Sequence, residues 1–266
     1  MTTVAQFITS SRYDLRDYGT GLEFDDEELL EYINRMVKIL DSTLISINSS
    51  FVVSNSTLLI PTSTLRYDIE TNLNSGNFDS IREIWTGNNR LEKISMDLMW
   101  YKQRFNSDQQ ISGFALVVGN TYEILARTTL DFTGCGAASN TAGVVFVCTV
   151  AGTLGTGDAV NSWNVAEPQF WTRQDGYIVF ELPSNQIYGM QFLYNKLTAT
   201  LTTSSNMPYN NAFNEFFREL LVMHAKAKKE GTIAPTEQTY SAMFRKAAYE
   251  QTIRADFQPK YYKLDF

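Results

Sequence analysis

One histidine, His224, two cysteines, Cys135 and Cys148, and a glycine-rich run over residues 128–160 are where this chain could do chemistry. Zinc and similar ions are usually held by several histidines or thiolates, so a single histidine excludes every multi-histidine site. A Cys–His pair could make a nucleophilic dyad, but no third residue to orient the base is evident. His224 follows Leu220 and Leu221 by one turn and precedes Ala225-Lys226-Ala227-Lys228-Lys229. That setting reads as a helix face at the edge of a core, where a protonated ring near the C-terminus would suit the helix dipole. The cysteines admit two readings: a bridge across neighbouring strands, or two small buried thiols in a reducing cytosol.

The glycine run raises a sharper question, because Gly134-Cys135-Gly136-Ala137-Ala138-Ser139 imitates a phosphate loop. Such a loop needs a helix directly after it, whose free N–H groups face the anion. Here Asn140-Thr141-Ala142-Gly143 reads as a turn, and the apolar, β-branched residues 144–150 read as a strand. No Gly-Lys-Ser/Thr follows anywhere. The run is therefore expected to be a small antiparallel β-module whose glycines turn corners.

Carboxylates offer little more. Asp25, Asp26, Glu27 and Glu28 precede an apolar stripe, and they read as a helix start: Asp25 as cap, Glu28 three residues on, Phe24 stapling onto Leu29. Separated acids such as Asp175 and Glu181 occur in any acidic protein. No nucleophile elbow, HExxH or EF-hand loop is present. Neither a metal nor a cofactor is expected, nor an enzyme. Lys226, Lys228 and Lys229 form the one basic cluster, either a solvated helix end complementing the dipole or a contact to DNA or an acidic partner.

The elements that position these residues follow from periodicity. Thr3 and Gln6 make a capping box for a first helix. Leu29, Ile33, Met36, Val37, Leu40 and Leu44 predict a second, running to about residue 47. Short strands are expected at 57–60, 65–69 and 80–85, with 90–94 pairing back after a turn, then a short helix at 97–105. Strands at 111–118 and 121–127 open the glycine-rich module, which ends near 163. Further strands are expected at 168–172, 177–182, 191–194 and 199–202. A helix after Pro208 stops at Gly231, and a last one capped by Thr236 carries Tyr240, Met243, Phe244, Ala247 and Ala248 and is bounded by Pro259.

This order predicts an α+β fold: terminal helices packed as a bundle, a central antiparallel β-domain and an inserted small β-module. The expected limits are 1–49 and 206–258 for the bundle, 50–111 and 163–205 for the β-domain, 112–162 for the module, and 259–266 for a C-terminal arm. The net charge of -7 lacks the basic stripe of a non-specific nucleic-acid binder. No run approaches the roughly 20 apolar residues of a membrane helix, and no leader is evident. Seventeen Phe, 14 Tyr and 4 Trp are many. Tyr188, Phe192, Tyr194 and Tyr209, and the tail rings Tyr261, Tyr262 and Phe266, are expected outside the core, as anchors for other proteins.

The stretches TTVAQFITSSRYDL and FDDEELLEYINRMVKIL resemble the opening of bacteriophage head-to-tail adaptor proteins, also called connector or neck proteins. Those begin with a short helix, a polar loop, and a helix opening on Trp or Phe, then Asp or Ser, then Asp-x-Glu-Leu-Leu-x-Tyr-Ile-Asn-Arg. YIVFELP at 177–183, Phe192-Leu193-Tyr194 with Leu201-Thr202, and the two last helices are similar too. The likeness covers about four-fifths of the chain. The insert separately resembles a β-module recurrent in phage proteins, through Tyr122-Glu123-Ile124, TTLDFT at 128–133, residues 136–146 and Gly155-Thr156-Gly157. It departs from shorter adaptors by interrupting the strands.

The resemblance implies a structural virion protein of the neck, made in the host cytoplasm, that forms a ring under the portal, usually twelvefold. The ring extends the DNA channel, DNA sliding through its lumen without specific binding, and seats the tail or nozzle proteins. The arm that meets the portal would be Gln258, Tyr261, Tyr262, Leu264 and Phe266. Two alternatives stand: a virion-associated β-rich fibre or decoration module, and a carboxylate-based glycan hydrolase, which would need two acids roughly 5–10 Å apart in a cleft.

Overall fold

The computed structural model of the chain describes residues 2–17, 23–209, 211–231 and 236–256. The fold is α+β, with helices drawn from both ends of the sequence and strands from its middle. It divides into two compact units, Met1–Val53 with Asn195–Phe266, and Ser54–Tyr194. Among the described residues the helices are α1 (Val4–Leu15), α2 (Asp26–Ser46), α3 (Met96–Asn106), α4 (Asn211–Glu230) and α5 (Glu237–Asp256). All but α3 belong to the first unit.

Local chemistry sets the helix starts. Thr3 accepts from the Gln6 N–H at 3.2 Å while Gln6 Oε1 accepts from the Thr3 N–H at 3.0 Å, a complete capping box. Asp25 caps α2 through the Glu28 N–H at 2.7 Å. The buried Arg12 guanidinium reaches Asp17 and Asp26 at 2.6 Å each, tying the end of α1 to the start of α2. The α2 stripe packs with Phe213, Phe217, Leu220 and Leu221 of α4 and Tyr240, Phe244 and Ala247 of α5 in one core. Each large apolar side chain so buried contributes about 1.5–3 kcal/mol, which isolated helices of this length in water lack.

Residues 199–202 form no strand. Two side chains of α2 take the place of a neighbouring strand. Asn34 Oδ1 accepts from the Leu201 N–H at 2.7 Å and its Nδ2 donates to the Leu201 carbonyl at 3.1 Å. Asp41 accepts from the Thr198 N–H at 2.7 Å. The same segment caps α1, since the Val4 and Ala5 N–H groups donate to the carbonyls of Ser205 and Thr203 at 2.8 and 3.0 Å. The stretch from Asn195 onward thus belongs to the helical unit, not to the β-domain.

The strands are β1 (Val53–Ile60), β2 (Arg66–Asp68), β3 (Phe78–Thr86), β4 (Asn89–Arg90), β5 (Glu92–Lys93), β6 (Ser107–Ile111), β7 (Thr121–Ala126), β8 (Val145–Val147), β9 (Ala159–Trp163), β10 (Phe170–Gln174), β11 (Tyr177–Phe180) and β12 (Tyr188–Lys196). One sheet runs β1-β12-β3-β4 and a second β2-β11-β10-β5. They share a core of Ile60, Ile84, Trp171, Ile178, Phe180, Met190, Phe192 and Tyr194. Phe192 and Tyr194, expected outside the core, are inside it, because β12 is an inner strand whose alternate side chains face the second sheet. Tyr188 and Tyr209 are half-buried, each packed against a core.

Residues 90–94 do not simply pair back. β4 joins β3, with Arg90 opposite Trp85, but β5 pairs parallel with β10, Glu92 opposite Phe170. The buried Leu91 is the crossover, its N–H on the Ile84 carbonyl at 2.9 Å. The chain thus passes between the sheets there.

The glycine-rich sheet runs β6-β9-β7-β8 and begins at Ser107, not at 112. Residues 112–118, expected as strand, leave the ladder after Ile111. Gly113 and Gly119 have φ of +89° and +91°, and the segment bonds singly to the 148–154 loop, as from Leu116 N–H to the Gly152 carbonyl at 2.7 Å. Glycine serves two ends here. Gly136 holds a φ of +109°, and at Gly155 a Cβ would lie 2.0 Å from the Thr129 hydroxyl oxygen. The buried Asp158 closes these turns, accepting from the N–H groups of Thr128, Thr129, Leu130 and Gly155 at 2.5–2.9 Å and from the Thr129 hydroxyl at 2.6 Å.

Candidate functional site

Helix α3 is built unlike the other four. Ser95 caps it, and one face is docked: Met99 is fully buried with Ile94 and Val179. Lys102 Nζ lies 3.6 Å from the centroid of the Phe170 ring, and Gln103 donates to the Phe180 carbonyl at 2.8 Å. The opposite face is also apolar. Leu98, Tyr101 and Phe105 follow one another at spacings of three and four, and are 43%, 59% and 70% exposed. The Tyr101 and Phe105 rings lie 4.6 Å apart, with Trp100 exposed on the flank beside them. Scattered exposed apolar side chains are ordinary on a protein surface; a contiguous aromatic stripe on one helix marks a contact surface. Sequence reading placed this helix but not its outer stripe. The spacing of residues 98, 101 and 105 was the available signal, and it gains meaning only once Met99 is known to face the core.

Of the three lysines proposed as a contact, two are engaged within the chain. Lys228 pairs with Glu28 and lies over the Phe24 ring at 5.7 Å, and Lys229 meets Glu23 at 2.6 Å. They hold the end of α4 to the start of α2. Lys226 stays exposed on a groove of about 410 Å³ with Asp14, Glu215, Arg218, Glu219, Val222 and Met223. The arm residues Gln258, Tyr261, Tyr262, Leu264 and Phe266 lie outside the described residues.

His224 is half-buried. Its Nδ1 is 2.8 Å from the Tyr240 hydroxyl, and its ring lies 4.3 Å from that of Tyr32. Burial, and then the Arg35 charge, hold its pKa below the ordinary value. Tyr32 donates to Glu28; burial first and that carboxylate second push the phenol up to about 12. The seam joins α4 to α5 by a hydrogen bond and α2 to α4 by the packing of the Tyr32 and His224 rings.

The acids are likewise occupied. Both oxygens of Glu181 accept from the N–H groups of Gln169 and Phe170, at 2.7 and 3.0 Å, and burial raises its pKa. Asp175 sits at the β10–β11 turn with φ +47°. Cys135 and Cys148 are buried free thiols, and burial pushes both up, away from the reactive thiolate. Among the described residues no group of three His, Cys, Asp or Glu could hold a metal ion, and no helix is long and apolar enough to cross a membrane. Compared with known proteins, the chain matches no family model and no curated sequence.

Proposed function

We propose that this chain is a head-to-tail adaptor of a tailed bacteriophage, a protein that closes into a ring of its own copies beneath the portal. The ring prolongs the DNA channel and gives the tail a seat. The outer stripe of α3 carries this reading. Ring closure needs a heterologous contact, in which one patch of each copy meets a different patch of the next. Leu98, Tyr101 and Phe105 are the apolar, low-entropy anchors such a contact uses. The acidic balance supports a channel along which DNA slides, since phosphates are not drawn to an acidic wall. Gln258, Tyr261, Tyr262, Leu264 and Phe266 complete the proposal as the arm that grips the portal, in the virion neck.

The reading is tested on α3. A triple variant, Leu98→Ser, Tyr101→Ser and Phe105→Ser, removes exposed side chains only, so its unfolding free energy from urea titration should match wild type within about 0.5 kcal/mol per substitution. Electron microscopy of the variant mixed with portal should show rings lost or incomplete. Complete rings on the portal would remove the observation on which the reading stands.

A further inference from the structure

Each sheet ends in two edge strands, and an edge presents backbone N–H and carbonyl groups to whatever lies beside it. Most edges here are blunted. β2, β4, β5 and β8 are only two or three residues long. Past β4 the outer side of β3 is taken: Arg173 donates to the Asp79 carbonyl at 2.8 Å, and the Leu91 N–H to the Ile84 carbonyl at 2.9 Å. The turn at Gly136 presses on β8, where a Cβ would lie 2.7 Å from the Val147 carbonyl oxygen.

Two edges are different. β1 runs eight residues and β6 five. β1 contains no charged residue and no proline; β6 contains one charge, Asp108, and no proline. Short length, lysine and proline are the usual guards of an open edge, and both strands lack them. Among the described residues, no backbone group of residues 54–59 or 107–110 bonds outside its own sheet. Each strand also carries one exposed large apolar side chain, Leu59 at 68% and Ile111 at 63%.

We propose that β1 of one copy adds as a strand to β6 of the next, extending the sheet β6-β9-β7-β8 across the contact between copies. The proposal rests on the ring reading and supplies what the α3 stripe leaves open, a second and different patch on the neighbouring copy. Two unlike open edges suit a head-to-tail contact, and a closed ring joined this way has neither edge left bare. Pairing each edge with itself is poorer. Two β6 strands would bring their Asp108 carboxylates near one another, and like charges across a ladder repel; two β1 strands would leave β6 open. β1, neutral in a chain of net charge -7, lies beside Asp108 without that cost. Added strands take their affinity from main-chain hydrogen bonds. β6 follows α3 directly, Asn106 to Ser107, so its edge and the stripe of Leu98, Tyr101 and Phe105 belong to one continuous stretch of chain.

The test is hydrogen exchange read by mass spectrometry on the full chain, free and assembled on a purified portal. Amides within residues 54–59 and 107–110 should exchange at least tenfold more slowly in the rings, because new ladder bonds hold their outward N–H groups. Leu59→Glu, at an exposed position, sets an acid beside the strand of Asp108. It should raise the chain concentration that gives half-complete rings at least tenfold while leaving the circular dichroism spectrum unchanged. Rings in which either strand exchanges as fast as in the free chain, or rings that Leu59→Glu assembles as readily as wild type, overturn strand pairing and leave the ring reading standing. A chain that forms no ring on the portal overturns both.

Discussion

Asp41 in the helical unit and Asp158 in the glycine-rich module are buried alike, 2% exposed each, and each pins a loop, yet their acidities part in opposite directions. Asp41 accepts from the Thr198 N–H and hydroxyl and from the Tyr209 hydroxyl, and burial still leaves its pKa raised. Burial pulls Asp158 the same way, but the Thr129 hydroxyl and the backbone N–H groups of Thr128, Thr129 and Leu130 outweigh it and hold its pKa well below the ordinary range. Both carboxyls are shut off from water, but Asp41 lies among far more protein than Asp158 does, and fewer donors reach it; depth and donors together set the charge of a buried carboxyl. The contrast also separates two ways of building. The helical unit stands on regular apolar stripes, whereas the module, with short strands and many turns around a small apolar core, gathers its loops on the Asp158 carboxylate.

The largest effect should therefore come from Asp158→Ala, which strips the partner from five donors. The loss should exceed about 3 kcal/mol, seen as faster hydrogen exchange across residues 107–163 with α2 and α4 amides unchanged. If instead the whole chain loosens together, the module is not a separately held region.

Next in size is the response to pH. The folded pKa of Asp158 lies below its unfolded value near about 3.9, so its contribution is full above that pH and is lost as pH falls through the folded value. Asp41 runs the other way. Its folded pKa is raised, so its contribution is greatest below about pH 3.9 and is lost as pH rises through the folded value. Asp158→Asn should flatten the acid loss in the module, and Asp41→Asn should flatten the loss on raising pH in the helical unit, read from urea midpoints of amides in each. Parallel curves for the two variants would erase the contrast.

The smallest effect concerns His224. Its folded pKa is lowered, so the unfolded chain takes up the proton first, and helical-unit stability should fall as pH drops below about 6.5. His224→Gln should lose that slope in a thermal melt while keeping the slope that belongs to Asp41. A variant whose melting point still tracks wild type through that range would show that His224 is not its source.

How much of this was legible beforehand depended on how far away the partners lie. The Thr3–Gln6 box, the Asp25 cap and the α2 stripe are local, and the sequence alone placed them. The segment 199–202 looked like a strand because its residues suit one; its partner is Asn34, far off in sequence and on a helix, with Asp41 of the same helix holding Thr198 just before it. Leu91 looked like part of a returning strand because nothing local marks a crossing between sheets. Phe192 and Tyr194 looked available because which face of β12 is covered depends on sheets not yet assembled. The α3 stripe was half legible, its spacing visible but its direction hidden.

The central claim is that this protein works by fitting copies of itself against one another and against a portal. Its most direct test is the mass and symmetry of the full chain assembled on a purified phage portal, by electron microscopy with native mass measurement. The account predicts a closed ring of copies, twelvefold on a twelvefold portal, with the stripe of Leu98, Tyr101 and Phe105 buried between neighbours. A chain that stays off the portal, or that assembles only as a trimer with that stripe in water, would contradict it.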